Sequence, residues 1–374
     1  MRALPPPEFV KIDPAAIEAS LIARYEKKAN KTLYPAQVER LFIDQIAYAK
    51  TLTLMAIQQA GERLLVRHSG GPILDYLGEL VSTARLLAQP ARCTQVFRLP
   101  EPATEPFLIS AGARVTSQDG RIAFMTEQPL SLEIGMQEAR VVVVCDQVGE
   151  VGNGWAIGQI SSYPGQAPAG MTTFNETVPE GGIDDEQDPA YIERIILSPE
   201  SFSTAGPEGS YVYHARAAHQ SITDVAVRGG EEDPDIPDGE VWIYPLTHTG
   251  LPTPELLALA QSSASARKKR PLTDHVLAKS PVEVPFKLRG RLTLFNNVDK
   301  DSVLALARKA AKRYADERRA TLGNDIVPEQ IIRAVQVNGV YQLRLIEPAM
   351  QVLARHEWAN CTEIDLDVEG FAHG

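Results

Sequence analysis

Cysteine is scarce in this chain. Only Cys93, Cys145 and Cys361 occur among 374 residues. They are odd in number, far apart and never spaced as Cys-x-x-Cys, which excludes a disulfide framework and a zinc knuckle. Folding in a reducing, cytoplasmic compartment is the expectation that follows. Long apolar runs are missing as well. No stretch approaches the roughly 20 apolar residues that a membrane helix needs, so no membrane insertion is expected. The opening Met1-Arg2-Ala3-Leu4-Pro5-Pro6-Pro7 lacks the apolar centre of a secretory signal, and its prolines would break one. Positive charge is in deficit: 37 Lys and Arg against 48 Asp and Glu leave a formal net charge of -11. That balance argues against a general nucleic-acid binder, which needs a basic face for the phosphates. The one basic cluster of note, Arg267-Lys268-Lys269-Arg270, ends a predicted helix before Pro271. Cations there offset the helix dipole; a partner or phosphate contact is the alternative.

Catalytic and ligand signatures are also lacking. His214 and His219 are five apart on a predicted helix, whereas a helical metal pair needs a spacing of three or four. Gly152-Asn153-Gly154-Trp155-Ala156-Ile157-Gly158 follows a strong strand but precedes an extended segment, so it does not open the helix that a dinucleotide loop requires. It reads as glycines at a turn. Asp233-Pro234-Asp235-Ile236-Pro237-Asp238-Gly239 has the composition of a calcium loop, but its prolines disturb the ligand alternation and no glutamate closes it. It reads as a solvated loop. No Gly-x-Ser-x-Gly elbow, Walker loop or His-Glu-x-x-His helix occurs. No catalytic, cofactor-binding or metal-binding residue is therefore assigned, and an enzyme is not expected.

The composition that remains, 44% hydrophobic and 23% charged, is that of a folded protein. Its length suits roughly two to four domains. The first ninety or so residues read as helical. Asp13-Pro14 is a helix start, with the carboxylate at the N-cap and proline in the first turn. Tyr34-Pro35 opens a longer helix predicted over residues 34–66, and a third is predicted over 73–88. In the second, Leu41, Tyr48, Leu52 and Met55 fall near one seam, with Phe42 and Ile46 beside it. A helix apolar over so much of its girth must be covered on several sides. Either it is the core of this chain's own bundle, or it belongs to a bundle shared with other chains.

From Cys93 the texture changes to short strands with turns between them. The strongest are Arg140-Val141-Val142-Val143-Val144-Cys145 and the runs that flank the Asp119-Gly120 hairpin turn. Residues 164–188 read as a connector. Beyond it, helices alternate with a few strands, as in two-layer sheets covered on one face. A helix over 301–320 is predicted to end at Gly323. The expected architecture is an α+β multidomain chain. It has an N-terminal helical bundle segment at residues 1–91 and a small β-rich domain at 92–180, sandwich-like or barrel-like. Two small two-layer α+β (ferredoxin-like) domains follow at 181–283 and 284–374.

Three stretches carry a family resemblance. The first is Leu74-Asp75-Tyr76-Leu77-Gly78-Glu79-Leu80, continued by Ala84-Arg85-Leu86 and Ala88-Gln89-Pro90-Ala91. The second is Ile109-Ser110-Ala111-Gly112-Ala113-Arg114-Val115 through Asp119-Gly120 to Phe124-Met125-Thr126, with Gly149-x-x-Gly152-Asn153 and Ile160 downstream. The third is Asp188-Pro189-x-Tyr191-Ile192-Glu193-Arg194-Ile195, then Gly209-Ser210-Tyr211-x-Tyr213-His214-Ala215 and Ile222-x-Asp224-Val225-x-Val227. In this order and spacing they cover most of the chain and resemble the baseplate J-like proteins of contractile-tail phages and phage-tail-like bacteriocins (tailocins). Pro237-Asp238-Gly239 stands where the family often has Pro-Gly. These motifs carry over architecture, not catalysis.

The resemblance implies a wedge component of a baseplate, in a virion or tail-like particle assembled in the bacterial host cytoplasm. Such proteins pair within a wedge and join neighbouring wedges into a sixfold ring around the central spike. Their N-terminal helices pack with a wedge partner of the tail protein I type. A wedge protein with a lysozyme-like fold and the sheath and hub components are further implied neighbours. Leu41, Phe42, Ile46, Tyr48, Leu52 and Met55 then become candidate partner-interface residues. Two other readings compete: a receptor- or carbohydrate-binding tail module hosted by the β-rich segment, favoured if exposed aromatics share one groove, and an envelope-degrading tail enzyme, which needs two carboxylates roughly 5–10 Å apart in a cleft.

Overall fold

Asp13 Oδ1 accepts the Ala16 N–H at 3.0 Å and Pro14 sits in the first turn, so helix α1 (Pro14–Ala29) starts where its capping residues predict. In this computed structural model, residues 5–203, 205–267 and 269–373 are described. The first four residues of the opening run and Lys268 of the basic cluster lie outside them. The chain divides into two units, residues 1–85 with 187–196, and residues 86–186 with 197–374.

In the first unit, Asn30 ends α1 in the left-handed conformation, at φ 47°. Helix α2 (Val38–Arg63) is shorter than predicted. Tyr34-Pro35 makes a turn instead, with the Gln37 N–H bonded to the Tyr34 carbonyl. The Arg40–Glu18 and Lys31–Glu39 ion pairs and the bond from Gln58 Nε2 to the Pro7 carbonyl set α1 and α2 antiparallel. Helix α3 (Pro72–Glu79) covers only half of its predicted span. Ser82 at φ 54° turns the chain, and the Thr83 N–H returns to the Gly78 carbonyl. Helix α4 (Asp188–Leu197) supplies Tyr191 and Ile195, which pack with Leu74 in a small core.

The second unit begins with eight strands: β1 (Pro90–Arg98), β2 (Phe107–Ile109), β3 (Arg114–Ser117), β4 (Ala123–Thr126), β5 (Leu130–Leu132), β6 (Glu138–Val148), β7 (Ile160–Ser162) and β8 (Thr172–Asn175). Six form one sheet in the order β7-β3-β4-β6-β1-β8, while β2 and β5 pair as a ribbon. Of the two expected forms, sandwich-like and barrel-like, the barrel-like one is found. The six-stranded sheet curls until its end strands β7 and β8 meet. The Gly158 N–H reaches the Asn175 carbonyl at 3.1 Å, the Ile160 N–H reaches Asn175 Oδ1 at 3.0 Å, and Gln95 Nε2 reaches the Ile160 carbonyl at 2.9 Å. The barrel is nearly closed, around a core that includes Phe97, Ile109, Val115, Phe124, Leu132 and Val143. Strand β8 lies within the segment read as a connector.

The central sheet comprises β9 (Ile222–Gly229), β10 (Glu240–Thr247) and β11 (His275–Ala278), with helices α5 (Glu208–Arg216) and α6 (Pro254–Ser265). β9 and β10 are antiparallel, but β11 runs parallel to β10. Helix α6 carries the crossover that a parallel pair requires. α5 ends at Arg216, so His219 lies beyond the helix that was expected to hold it. The C-terminal sheet has the order β13-β12-β14 and is built from β12 (Val282–Phe295), β13 (Val340–Glu347) and β14 (Glu357–Ala372), with α7 (Lys300–Arg319) and α8 (Pro328–Val335). β14 runs parallel to β12. Three-stranded sheets with a parallel pair replace the four-stranded antiparallel sheet implied by a ferredoxin-like description. Ala320 caps α7, and Gly323 lies in the loop beyond, at φ 65°.

Candidate partner-binding surface

Helix α2 carries the most apolar exposed surface of the first unit. Leu41, Tyr48, Leu52 and Met55 follow one another in steps of seven, four and three, which keeps them on one stripe at about 100° per residue. Phe42 and Ile46 lie roughly 110–150° around the helix from that stripe, on a second exposed face. All six predicted residues are exposed, from 46% at Leu52 to 67% at Phe42. Ile43 and Ala47, the two buried side chains of α2, lie about 140° around the helix from the stripe. The six therefore do not form this chain's own bundle core. Val38 and Ile57, 64% and 48% exposed, extend the apolar surface along the helix. Val38 was outside the predicted set; it falls before the periodic stretch but shares its apolar character. Large contiguous apolar patches are rare on free soluble proteins and mark interaction surfaces.

The sequence motifs around residue 75 and residue 190 meet in a polar cluster of the same unit. Arg85 Nε bonds Asp75 Oδ1 and its Nη2 bonds Asp188 Oδ1, both at 2.8 Å. Asp188 Oδ2 accepts the Gly71 N–H at 2.9 Å. That amide and Arg85 hold the Asp188 carboxyl below its ordinary value. The Arg85 guanidinium lies 4.6 Å from the Tyr191 ring centroid, the Tyr191 hydroxyl donates to the Thr83 carbonyl at 2.7 Å, and Arg194 donates to the Ala84 carbonyl. Each charged group is committed to holding α3, α4 and the segment between them. The cluster is a structural joint.

Elsewhere the candidate ligand motifs resolve into structure. Gly152-Asn153-Gly154 forms turns: Asn153 exchanges side-chain bonds with the Gly182 backbone at 2.7 and 2.9 Å, and Gly154 takes φ 77°. Arg270 of the basic cluster bonds the Ser265 and Pro271 carbonyls at 2.9 and 3.0 Å, serving the end of α6. The acidic loop is not simply solvated: Asp233 pairs with Arg228 at 3.0 Å and Glu232 with Arg355 at 3.0 Å. Among the described residues, no group of three or more His, Cys, Asp or Glu is placed to hold a metal ion. No helix among them is long and apolar enough to cross a membrane. Burial raises the Cys93 thiol to about 12, with Cys145 adding to the shift, so it is a packed apolar group rather than a nucleophile.

Three family models match successive parts of the chain. The baseplate J-like protein barrel domain matches residues 96–182, the baseplate J-like central domain 203–280, and the baseplate J-like protein C-terminal domain 285–367. The cryo-EM structure of the anti-feeding prophage (AFP) baseplate, 6-fold symmetrised, contains a similar chain: 14% identical, with a TM-score of 0.48, covering 94% of this chain and 90% of that one. No curated protein matches the chain. The nearly closed sheet and the two α+β sheets occupy the three matched stretches in order, and the matches together take in more than half of the residues: the chain belongs to the baseplate J-like family.

Proposed function

We propose that this protein is a non-enzymatic structural wedge component of a contractile injection machine's baseplate, in a virion or tail-like particle, and that it is made and assembled in the host cytoplasm. Family membership supports the baseplate structural role. In the finer reading, two copies pair within a wedge, and wedges join into a sixfold ring around the central spike. Neighbouring wedge proteins, a lysozyme-like fold among them, and the sheath and hub components complete its surroundings. The chain is divided functionally at residues 1–91, 92–180, 181–283 and 284–374. Leu41, Phe42, Ile46, Tyr48, Leu52 and Met55 form the interface to a tail protein I-type partner.

The observation that carries the partner reading is the exposed apolar face of α2. A helix with two buried side chains and this much exposed Leu, Phe, Ile, Tyr and Met lacks sufficient packing within its own unit. A partner helix laid along the stripe would bury it in the manner of a coiled coil.

The test is mass in solution by light scattering coupled to size exclusion, for the chain alone and co-expressed with the tail protein I-type neighbour. A stable complex of two copies with one partner is the expected result. The double variant Phe42→Asp, Leu52→Asp should lose that complex while its thermal unfolding stays close to wild type, because both positions are exposed. A monomer indifferent to the partner overturns the wedge reading in this form.

A further inference from the structure

A polar contact joins the central sheet to the C-terminal sheet. His356, just before β14, sits against β9 and β10. Arg228 Nη1 of β9 lies 2.7 Å from His356 Nδ1, and the Tyr244 ring of β10 lies 4.9 Å from the imidazole. Arg228 also pairs with Asp233 at 3.0 Å, with only 16% and 14% of the two side chains exposed. Arg355 pairs with Glu208 and Glu232, and the Val282 N–H of β12 bonds the His356 carbonyl at 3.1 Å. A second contact lies apart from the imidazole. Asp224 accepts the Leu322 N–H at 2.9 Å, and Arg319 donates to the Thr249 carbonyl at 2.9 Å.

The tautomer is dictated by the pairing. A guanidinium has donors and no acceptor, so the bond at His356 Nδ1 needs a lone pair on that nitrogen. The ring in this arrangement is neutral. A proton on Nδ1 would remove the acceptor and set an imidazolium against a guanidinium. Asp233, the carboxylate paired with Arg228, would then face two cations, with Glu357 beside His356 and Glu232 engaged with Arg355. Low exposure leaves that repulsion weakly screened.

We propose that His356 is a proton-sensitive latch: neutral, it ties the start of β14 to the face of β9 and β10; protonated, it releases that joint. The sign follows from linkage. Burial first, and Arg228 second, hold the latched ring below the ordinary value of 6.5. The latch is therefore at full strength above that value. It weakens as pH falls below it, because the released form takes up a proton that the latched form refuses.

The test is hydrogen exchange of the full chain at pH 7.5 and 5.5, corrected for intrinsic rates and read at the Val282 and Leu322 amides with β6 amides as a control. In wild type, protection at Val282 and Leu322 should fall by about threefold or more at the lower pH, with β6 unchanged; a tenfold change corresponds to one pKa unit. His356→Asn keeps an acceptor near Arg228 but cannot titrate, so its protection should not respond to pH. Should that variant loosen the joint at both values, Arg228→Gln decides: it donates to Nδ1 without charge, and its pH response should shrink. Unchanged wild-type protection overturns the proposal. So does an undiminished pH response in Arg228→Gln, or a loss equal in all three chains.

Discussion

Gly78 shows why a short motif can be recognised without its purpose being visible. A Cβ at this position would overlap the Tyr191 hydroxyl and the Thr83 carbonyl, so the glycine of Leu-Asp-x-Leu-Gly makes room for a bond between residues 108 apart in the chain. Gly78→Ala should cost about 2–3 kcal/mol in urea unfolding, through overpacking in a site that has little room to relax. Tyr191→Phe should cost about 1–2 kcal/mol, because it removes the buried hydrogen bond from the Tyr191 hydroxyl to the Thr83 carbonyl. If either variant unfolds like wild type, the joint between α3 and α4 is not what the motif serves. Arg85 and Asp188 make the same point. Their residue types were readable, but their pairing across the chain was not.

At the scale of elements, the barrel owes its closure chiefly to side-chain bonds, with the Gly158 N–H to Asn175 carbonyl bond beside them. Asn175 is fully buried; its Oδ1 accepts the Ile160 N–H, and its Nδ2 donates to the Ala156 and Thr177 carbonyls, both at 3.0 Å. Asn175→Ala should lose about 2–4 kcal/mol in urea unfolding, because it strands several buried polar groups at once. Amide exchange should rise first in β7 and β8. Exchange rising evenly over all strands would show that the seam is not the weak point. Helix α2 behaves oppositely: its apolar residues are exposed, so its Asp variants should alter assembly and leave folding nearly untouched.

At the scale of the whole molecule, a buried imidazole should make stability depend on acid. His214 is 6% exposed, and neither ring nitrogen has a hydrogen-bond partner among the described residues. Burial, helped by Lys269, pushes it down to about 4. The unfolded chain binds a proton below about 6.5 that the folded chain refuses down to about 4. Stability is therefore unaffected above that window and falls through it, by on the order of 3 kcal/mol when complete. Urea midpoints measured from pH 7 to 4 should show the fall, and His214→Phe should flatten its upper part. A variant as pH-sensitive as wild type would assign the effect to His219, His356 or the carboxylates instead.

Local chemistry was sufficient for some of this architecture. The Asp13-Pro14 start of α1, the run that became β6, the hairpin at Asp119-Gly120 and the apolar stripe of α2 depend on neighbours within a few residues, where capping, turn geometry and periodicity act. The motifs in sequence also carried the family. Pairing between distant segments was out of reach. That β8 completes a curled sheet, that β11 and β14 run parallel to their neighbours, and that α3 stops at Glu79 are decided by which surfaces meet after folding. The same holds for the stripe on α2. Its spacing announced a surface that needs covering, and only the tertiary structure showed that its own unit leaves it open, because burial is a property of the packed chain and not of the helix.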